Sequence, residues 1–421
     1  MDSLRRDFLG CYGDEGAMTP HLDRFAKEAT RFTQAYAVAP WSKPSGAALL
    51  TGHIPRALRM RALLDRLPDS VPTLTEQLGN SGFRTIAVSA NPFISHDFGM
   101  LRGFTETLEA FRPGVLPSET FHFHANHFRR LADGLSVAPE ALVLGRSPAL
   151  HRALLERLPP TGPTFALCWS MDTHAPFFVR GEQSFFGNPL DRVIPAADSE
   201  WLSGSLTVRD MVSLYRDMIA YNDLHFGALI EQLRERGQWE EALIIVTGDH
   251  GEAFGEHRLM GHTNGLWEEQ VAVPLLVKFP GQRTSARREV PVSLTDIVPT
   301  ILEAAGIERM PNISGVALQS LVAGAEQERA LLLENPEGWA LRFGDWKAIA
   351  PTDGGLPLLF NLRTDPEERH PLPDDTLRRE LTLRAATLRD TADRQASQWV
   401  EPEEDEVDDV VLQRLRNLGY L

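Results

Sequence analysis

Cysteine is nearly absent. The 421-residue chain carries two, Cys11 and Cys168, far apart in sequence, which excludes a disulfide framework and a zinc ribbon. Cys168 stands inside the apolar run FALCWSM and is expected to be a buried, inert thiol. Long hydrophobic runs are missing as well, since no segment approaches the roughly 18 apolar residues that a bilayer span needs. No basic n-region with a following apolar h-region opens the chain, so the sequence as given is expected to be soluble and cytoplasmic. Positive charge is in deficit: 42 Lys and Arg stand against 58 Asp and Glu, a net charge of −16. A nucleic-acid backbone is therefore not an expected partner. An anionic substrate would need local cations or a metal to overcome that field. Part of the acidity gathers in Glu401–Asp409 (EPEEDEVDD), which reads as a solvated linker. Internal repeats are lacking too.

What is present is ordinary for a globular protein, with 43% hydrophobic and 24% charged residues. The length implies two domains, or one large domain with an appendage. Strand-like runs at Phe32–Val38, Arg84–Ser89, Thr164–Ser170 and Val271–Phe279 alternate with helical patterns at Val71–Leu78, Ser205–Arg236 and Ser293–Gly306. That alternation predicts an α/β fold with a doubly wound sheet. Leu243–Val246 reads as a buried strand of a parallel sheet. After about Glu328 the runs shorten to Ala330–Glu334, Trp339–Phe343, Trp346–Ala350 and Leu358–Leu362, which predicts an antiparallel sheet. The division expected is residues 1–327 as a catalytic α/β domain and 328–421 as a C-terminal α+β subdomain with the acidic tail. The opening Met1–Asp7 reads like the turn after a first strand, so an apolar strand is expected several residues upstream.

Polar residues gather where apolar runs stop. Asp249-His250-Gly251-Glu252 follows one such run, at the strand end where open α/β sheets place ligands. Asp supplies a hard oxygen and His a borderline nitrogen, so the two are candidate metal ligands. His257 and His262 follow in the same loop, and the plainer reading is a polar loop with incidental histidines. Met171-Asp172-Thr173-His174 follows the Thr164–Ser170 run in the same manner. Ser42, in Pro40-Trp41-Ser42-Lys43-Pro44-Ser45-Gly46, sits at or just before a helix N-terminus, where free N–H groups favour an anion. It is a candidate nucleophile there; alternatively Ser42 or Ser45 is simply a helix N-cap. His122, His124 and His127 have a spacing that could mimic a metal cluster, but polar histidines on a soluble helix are the preferred reading, because no strand end presents them.

Three segments, DSLRRDFLGCYG, PWSKPSGAALLTG and TGDHGEAFGEH…GHTNGLWEEQVAVPLLV, resemble the sulfatases of the alkaline-phosphatase superfamily. VSLTDIVPTILEAAG, LLFNLRTDPEER and the closing LRNLGYL are similar to that family's later landmarks, in the same order. The resemblance implies an alkaline-phosphatase-like fold: a large mixed or parallel sheet flanked by helices, with a smaller C-terminal antiparallel-sheet subdomain. It implies a metal-dependent sulfuric ester hydrolase acting on a small-molecule or saccharide ester. The cation implied is Ca²⁺, with Mg²⁺ or Mn²⁺ as alternatives. Asp2 matches the family's N-terminal metal-binding acid, although Ser3 stands where a second acid is usual. Asp249 and His250 match the second pair of ligands. Ser42 matches the nucleophile and metal-contacting position, held in active sulfatases by a Cys or Ser oxidised to formylglycine. His174 matches a histidine on the sulfate or leaving group, and His262 falls near a Lys or His that contacts ester oxygens.

Two departures bear on the chemistry. The oxidation motif Cys/Ser-x-Pro-x-Arg reads Ser42-Lys43-Pro44-Ser45-Gly46, without its arginine. A Gly-Lys-x-His element is replaced by Ser89-Ala90-Asn91-Pro92-Phe93. A formylglycine hydrate expels sulfate with its second hydroxyl, whereas plain serine must wait for water. A phosphomonoester or phosphodiester hydrolase, or a phospho-group transferase, using unmodified Ser42 is therefore the alternative, with a non-catalytic relative behind it.

Overall fold

The structure is a computed structural model, described for residues 1–115, 146–175, 177–178, 193–194, 207–323, 328–351, 354–400, 407–418 and 420–421. His122, His124, His127 and the acidic residues 401–406 lie outside the described residues.

Eight strands of the larger part matter for the site: β1 (Thr30–Tyr36), β2 (Arg84–Ser89), β3 (Glu106–Glu109), β4 (Thr164–Trp169), β5 (Ile244–Thr247), β6 (Ala272–Lys278), β7 (Ala286–Arg288) and β8 (Val292–Ser293). One sheet runs β7–β1–β6–β5, with β8 also on β1, and mixes parallel and antiparallel pairs. A second, β3–β2–β4, is all parallel. The strand expected in a parallel sheet at Leu243–Val246 is a correction. Among the described residues β5 has one neighbour, β6, and it runs antiparallel, with Leu275 opposite Thr247 and Lys278 opposite Ile244. The physical reason is the connection. A loop returns from Asp249 to β6 without a long crossover helix, and only a crossover could bring the next strand back parallel.

Helix α1 (Ser42–Thr51) is buried on almost every side, Leu49 being its one partly exposed residue. Helix α2 (Val208–Glu235) opens with a Thr207–Asp210 capping box. Its apolar stripe of Met211, Leu214, Tyr215, Met218 and Ile219 joins Leu4, Leu22 and Phe25 in one core. The first residues lie between the two sheets. The Met1 amino group donates to the Thr247 carbonyl at 3.0 Å, and the Asp2 amide donates to the Ser170 carbonyl at 2.9 Å. Asp2 is thereby fixed at the ends of both β4 and β5.

The four short C-terminal strands form an antiparallel meander, β9 (Ala330–Asn335), β10 (Gly338–Phe343), β11 (Trp346–Pro351) and β12 (Leu358–Asn361). One face packs on helix α3 (Asp375–Ala396), the other on Tyr36, Leu266 and Val271. Fully buried Lys347 ties the meander to the larger part, 3.0 Å from Glu268 and 2.8 Å from Glu368. The last helix, α4 (Asp409–Asn417), packs elsewhere: Val411, Leu415 and Leu418 enter the core that holds Phe93, Ile94 and Trp169.

Candidate active site

Strand ends and a helix start converge on one buried point. Asp2 reaches it from the N-terminus, Asp249 and His250 from the end of β5, and Ser42 as the first residue of α1. The Ser42 Oγ lies 3.2 Å and 3.3 Å from the two Asp2 oxygens and 3.2 Å from His250 Nε2. His250 Nε2 is 3.6 Å from Asp2 and 3.4 Å from Asp249. The helix-start reading of Ser42 needs one correction. Trp41 is the N-cap position and neither serine caps the helix, because the Ser42 side chain faces Asp2 and the Ser45 hydroxyl donates to the Ala39 carbonyl at 3.0 Å.

The donor set fits a hard divalent cation. Asp2, Asp249 and His250 are all buried, and one ligand atom from each lies within 4.8 Å of the others. Asp249 Oδ2 is buried without a hydrogen-bond partner among the described residues, an arrangement that costs free energy unless something binds it. His250 donates Nδ1–H to the Gly251 carbonyl at 2.8 Å, which leaves its Nε2 lone pair aimed at the cluster. Burial pushes the Asp249 carboxyl up to about 6, helped by the neighbouring Asp2 charge. Burial also works against ionised Asp2, but His174, His250 and the hydrogen bonds from Trp169 and Asn91 outweigh it and hold that carboxyl low. Burial disfavours a charged His250 as well, and the two carboxylates override it, raising the imidazole. The protein thus gathers two carboxylates and an imidazole nitrogen that favour a cation among them.

Ser3, where a second acid is usual, serves this cluster differently. Its amide donates to Asp249 Oδ1 at 3.0 Å and its hydroxyl to Asp2 Oδ1 at 3.3 Å. Gly251 is needed for close approach, since a Cβ there would overlap the Glu269 carbonyl. That carbonyl accepts from the Glu252 amide and closes the loop.

A second group of rings faces the first. His262 lies 4.5 Å from His250 and 5.0 Å from His174, measured between ring centres. His262 Nδ1 is 2.9 Å from Glu252 Oε2. Burial pushes the Glu252 carboxyl up to about 7 and the His262 imidazole well down. All six candidate residues, Asp2, Ser42, His174, Asp249, His250 and His262, are therefore neighbours. His257 is not: it stacks on Trp267 with ring centres 3.8 Å apart and bonds Glu269 at 2.8 Å.

Four residues of the site had no assigned role in the sequence. Asn91 Nδ2 and Trp169 Nε1 donate to Asp2 Oδ2 at 2.6 Å and 2.8 Å. Both stand at strand ends, Asn91 just after β2 and Trp169 closing β4, the same signal that marks Asp249. Glu252 was visible beside His250 but without a role. Tyr420 reaches both His174 and His262; it lies in the LRNLGYL landmark, to which no site role was attached.

Lys43 and Gly46 are explained by packing. The Lys43 ammonium is held by three carbonyls, Ala62, Leu63 and Asp65, at 2.7 Å each, and packs by Trp41, Phe93 and Phe98. It is committed there and does not replace an arginine beside Ser42. Gly46 faces Ile94 and Trp169 with no room for a side chain.

A mixed α/β sheet that brings two carboxylates, a histidine and a helix-opening serine together at its strand ends defines the alkaline-phosphatase-like class. The family model for sulfatases matches residues 1–307, and the chain belongs to the sulfatase family. It is 28% identical over 482 residues to mouse steryl-sulfatase, covering 88% of this chain and 77% of that protein. It is 34% identical over 178 residues to mouse arylsulfatase K, covering 38% of this chain and 32% of that one; the chain thus spans about a third of that relative. In fold it is similar to the phosphonate monoester hydrolase of Agrobacterium radiobacter, with a TM-score of 0.70, 20% identity and coverage of 93% and 94% of the two chains. The family is generally metal-dependent. Among the described residues no helix is long and apolar enough to cross a membrane.

Proposed function

We propose that this protein hydrolyses sulfate esters of small molecules or saccharides, with the side-chain oxygen at position 42 as nucleophile. The observation that carries the reading is the placement of Ser42 Oγ within 3.2 Å of both Asp2 and His250, at the start of α1. Asp2, Asp249 and His250 would hold a divalent cation, Ca²⁺ being favoured because the site offers hard carboxylate oxygens, and the Ser42 oxygen would complete the set. When bound, the cation would polarise the ester oxygens and favour the ionised nucleophile. The backbone N–H groups opening α1 would stabilise charge on the group being transferred. His174 faces the same point and would donate the proton that the departing alcohol needs as its S–O bond breaks, while His262, held neutral by burial, would contact the ester oxygens.

Conversion of Ser42 to formylglycine belongs to this reading, because a hydrated aldehyde releases sulfate from the enzyme without waiting for water. A second reading, phosphoester hydrolysis or phosphoryl transfer by plain Ser42, is favoured by one observation: the arginine of the conversion motif is replaced by a glycine packed against Ile94. One pair of measurements tests both. The mass of the Ser42 peptide reports the loss of two hydrogens on conversion, and release of 4-nitrophenol from its sulfate and phosphate esters reports the reaction. Plain serine with turnover of the phosphate alone overturns the first reading.

A further inference from the structure

The hydroxyl of Tyr420 occupies the space between the two histidines. It lies 2.7 Å from His262 Nε2 and 3.1 Å from His174 Nε2. Its ring sits edge-on to Phe93, with centres 4.9 Å apart. Tyr420 is itself partly exposed and Leu421 is 52% exposed, whereas His174 is 1% exposed. The phenol therefore covers buried imidazoles from a side that solvent reaches.

The mount is firm. Val411 and Leu415 of α4 are fully buried, and Arg414 Nε donates to the Phe111 carbonyl at 2.8 Å. The Tyr420 amide donates to the Leu415 carbonyl at 3.0 Å. Release of that bond would let Tyr420 move without disturbing the buried face of α4.

We propose that Tyr420 is a gate that holds the place of the ester's leaving-group oxygen until a substrate displaces it. The assignment of that place rests on the function proposed above. The physical argument is exclusion: an ester oxygen that reaches both Nε2 atoms needs the space that the phenol oxygen fills. Because Tyr420 is tethered to α4, the local concentration of its phenol is high and substrate binds only to the fraction of molecules with the phenol withdrawn. A phenol is also what an aryl ester leaves behind, so Tyr420 matches the subsite chemically as well as sterically.

The test uses the full chain and its Tyr420→Phe and Tyr420→Ala variants, with equal urea midpoints as the check on folding. Modification of His174 and His262 by diethyl pyrocarbonate, read by peptide mass spectrometry, reports the cover directly and needs no activity. Tyr420→Ala is expected to speed modification of both by about tenfold, as the closed fraction is lost, and Tyr420→Phe by less, since its ring keeps the Phe93 contact. Unchanged modification in Tyr420→Ala overturns the gate. With 4-nitrophenyl sulfate and phosphate as probes, kcat/KM of Tyr420→Ala is expected to rise through a lower KM. A fall in kcat/KM through kcat overturns the gate and makes the phenol part of the chemistry. If no protein turns over either ester, the ester-hydrolase reading has failed, and histidine modification alone still decides the gate.

Discussion

Ile94 stands where a side chain on Gly46 would have to begin. A Cβ built on Gly46 would overlap the Ile94 Cδ1 and meet the Trp169 ring at 3.4 Å. Ile94 is 0% and Trp169 4% exposed, so neither can swing into solvent to make room. The missing arginine of the oxidation motif is therefore part of a packed core, not an isolated gap. Gly46→Arg is expected to lose about 3 kcal/mol or more of stability from overpacking and a buried charge, with no increase in oxidised Ser42. Urea midpoints and the Ser42 peptide mass check both parts. A stable variant with raised oxidation would show that the core yields.

Lys43 makes a separate prediction because it serves the fold. Lys43→Met keeps the stem but leaves the carbonyls of Ala62, Leu63 and Asp65 without their shared donor. At about 1–3 kcal/mol for each buried group left unpaired, the variant should unfold at markedly lower urea. Any loss of turnover should track the unfolded fraction. A kcat loss in a fully folded variant would instead place the ammonium in the chemistry.

Asp249→Asn and His174→Ala separate metal holding from leaving-group chemistry. Asp249→Asn removes one formal charge from a site where Asp249 Oδ2 has no hydrogen-bond partner among the described residues. Metal content and activity should fall together, and excess cation should restore part of both. In His174→Ala the metal content should be retained while kcat drops by about 10²-fold or more. Loss of metal in that variant would make His174 a ligand.

His53 gives the fold a pH dependence. Its ring is fully buried, both nitrogens lack hydrogen-bond partners among the described residues, and burial holds its pKa at about 4, below the ordinary 6.5. The folded state favours the neutral ring while the unfolded chain takes up a proton first. Stability from this group is thus complete above about 6.5 and is lost as pH falls toward 4. The shift corresponds to about 3 kcal/mol by the lower pH. The drop in urea midpoint between pH 7 and pH 5 should be smaller in His53→Leu than in the parent. Equal drops would assign the acid sensitivity to other groups.

Much of the fold was legible because periodicity and strand endings are local. The β2 bounds were read directly, and β4 and β5 to within one residue. The direction of the β5 neighbour was not legible, because parallel and antiparallel strands carry the same apolar runs and the connection decides between them. The start of α2 was found to within three residues. Ser42 was placed at a helix start, but its role as first residue and not cap depends on where its side chain turns, and Asp2 sets that from 40 residues away.

For the site, the sequence by itself determined the candidate residues and their order: Asp2, then Ser42, then His174, then Asp249-His250, then His262. Each lies in a polar stretch that a local reading can find, and the family resemblance rests on those stretches. The tertiary structure alone decided which groups share space. It put Asn91 and Trp169 on Asp2, gave Lys43 to three carbonyls, closed Gly46 against Ile94 and brought Tyr420 between His174 and His262 across 246 and 158 positions of chain. The reason is that residue type and spacing encode what a side chain can bond, while packing of distant segments settles what it meets.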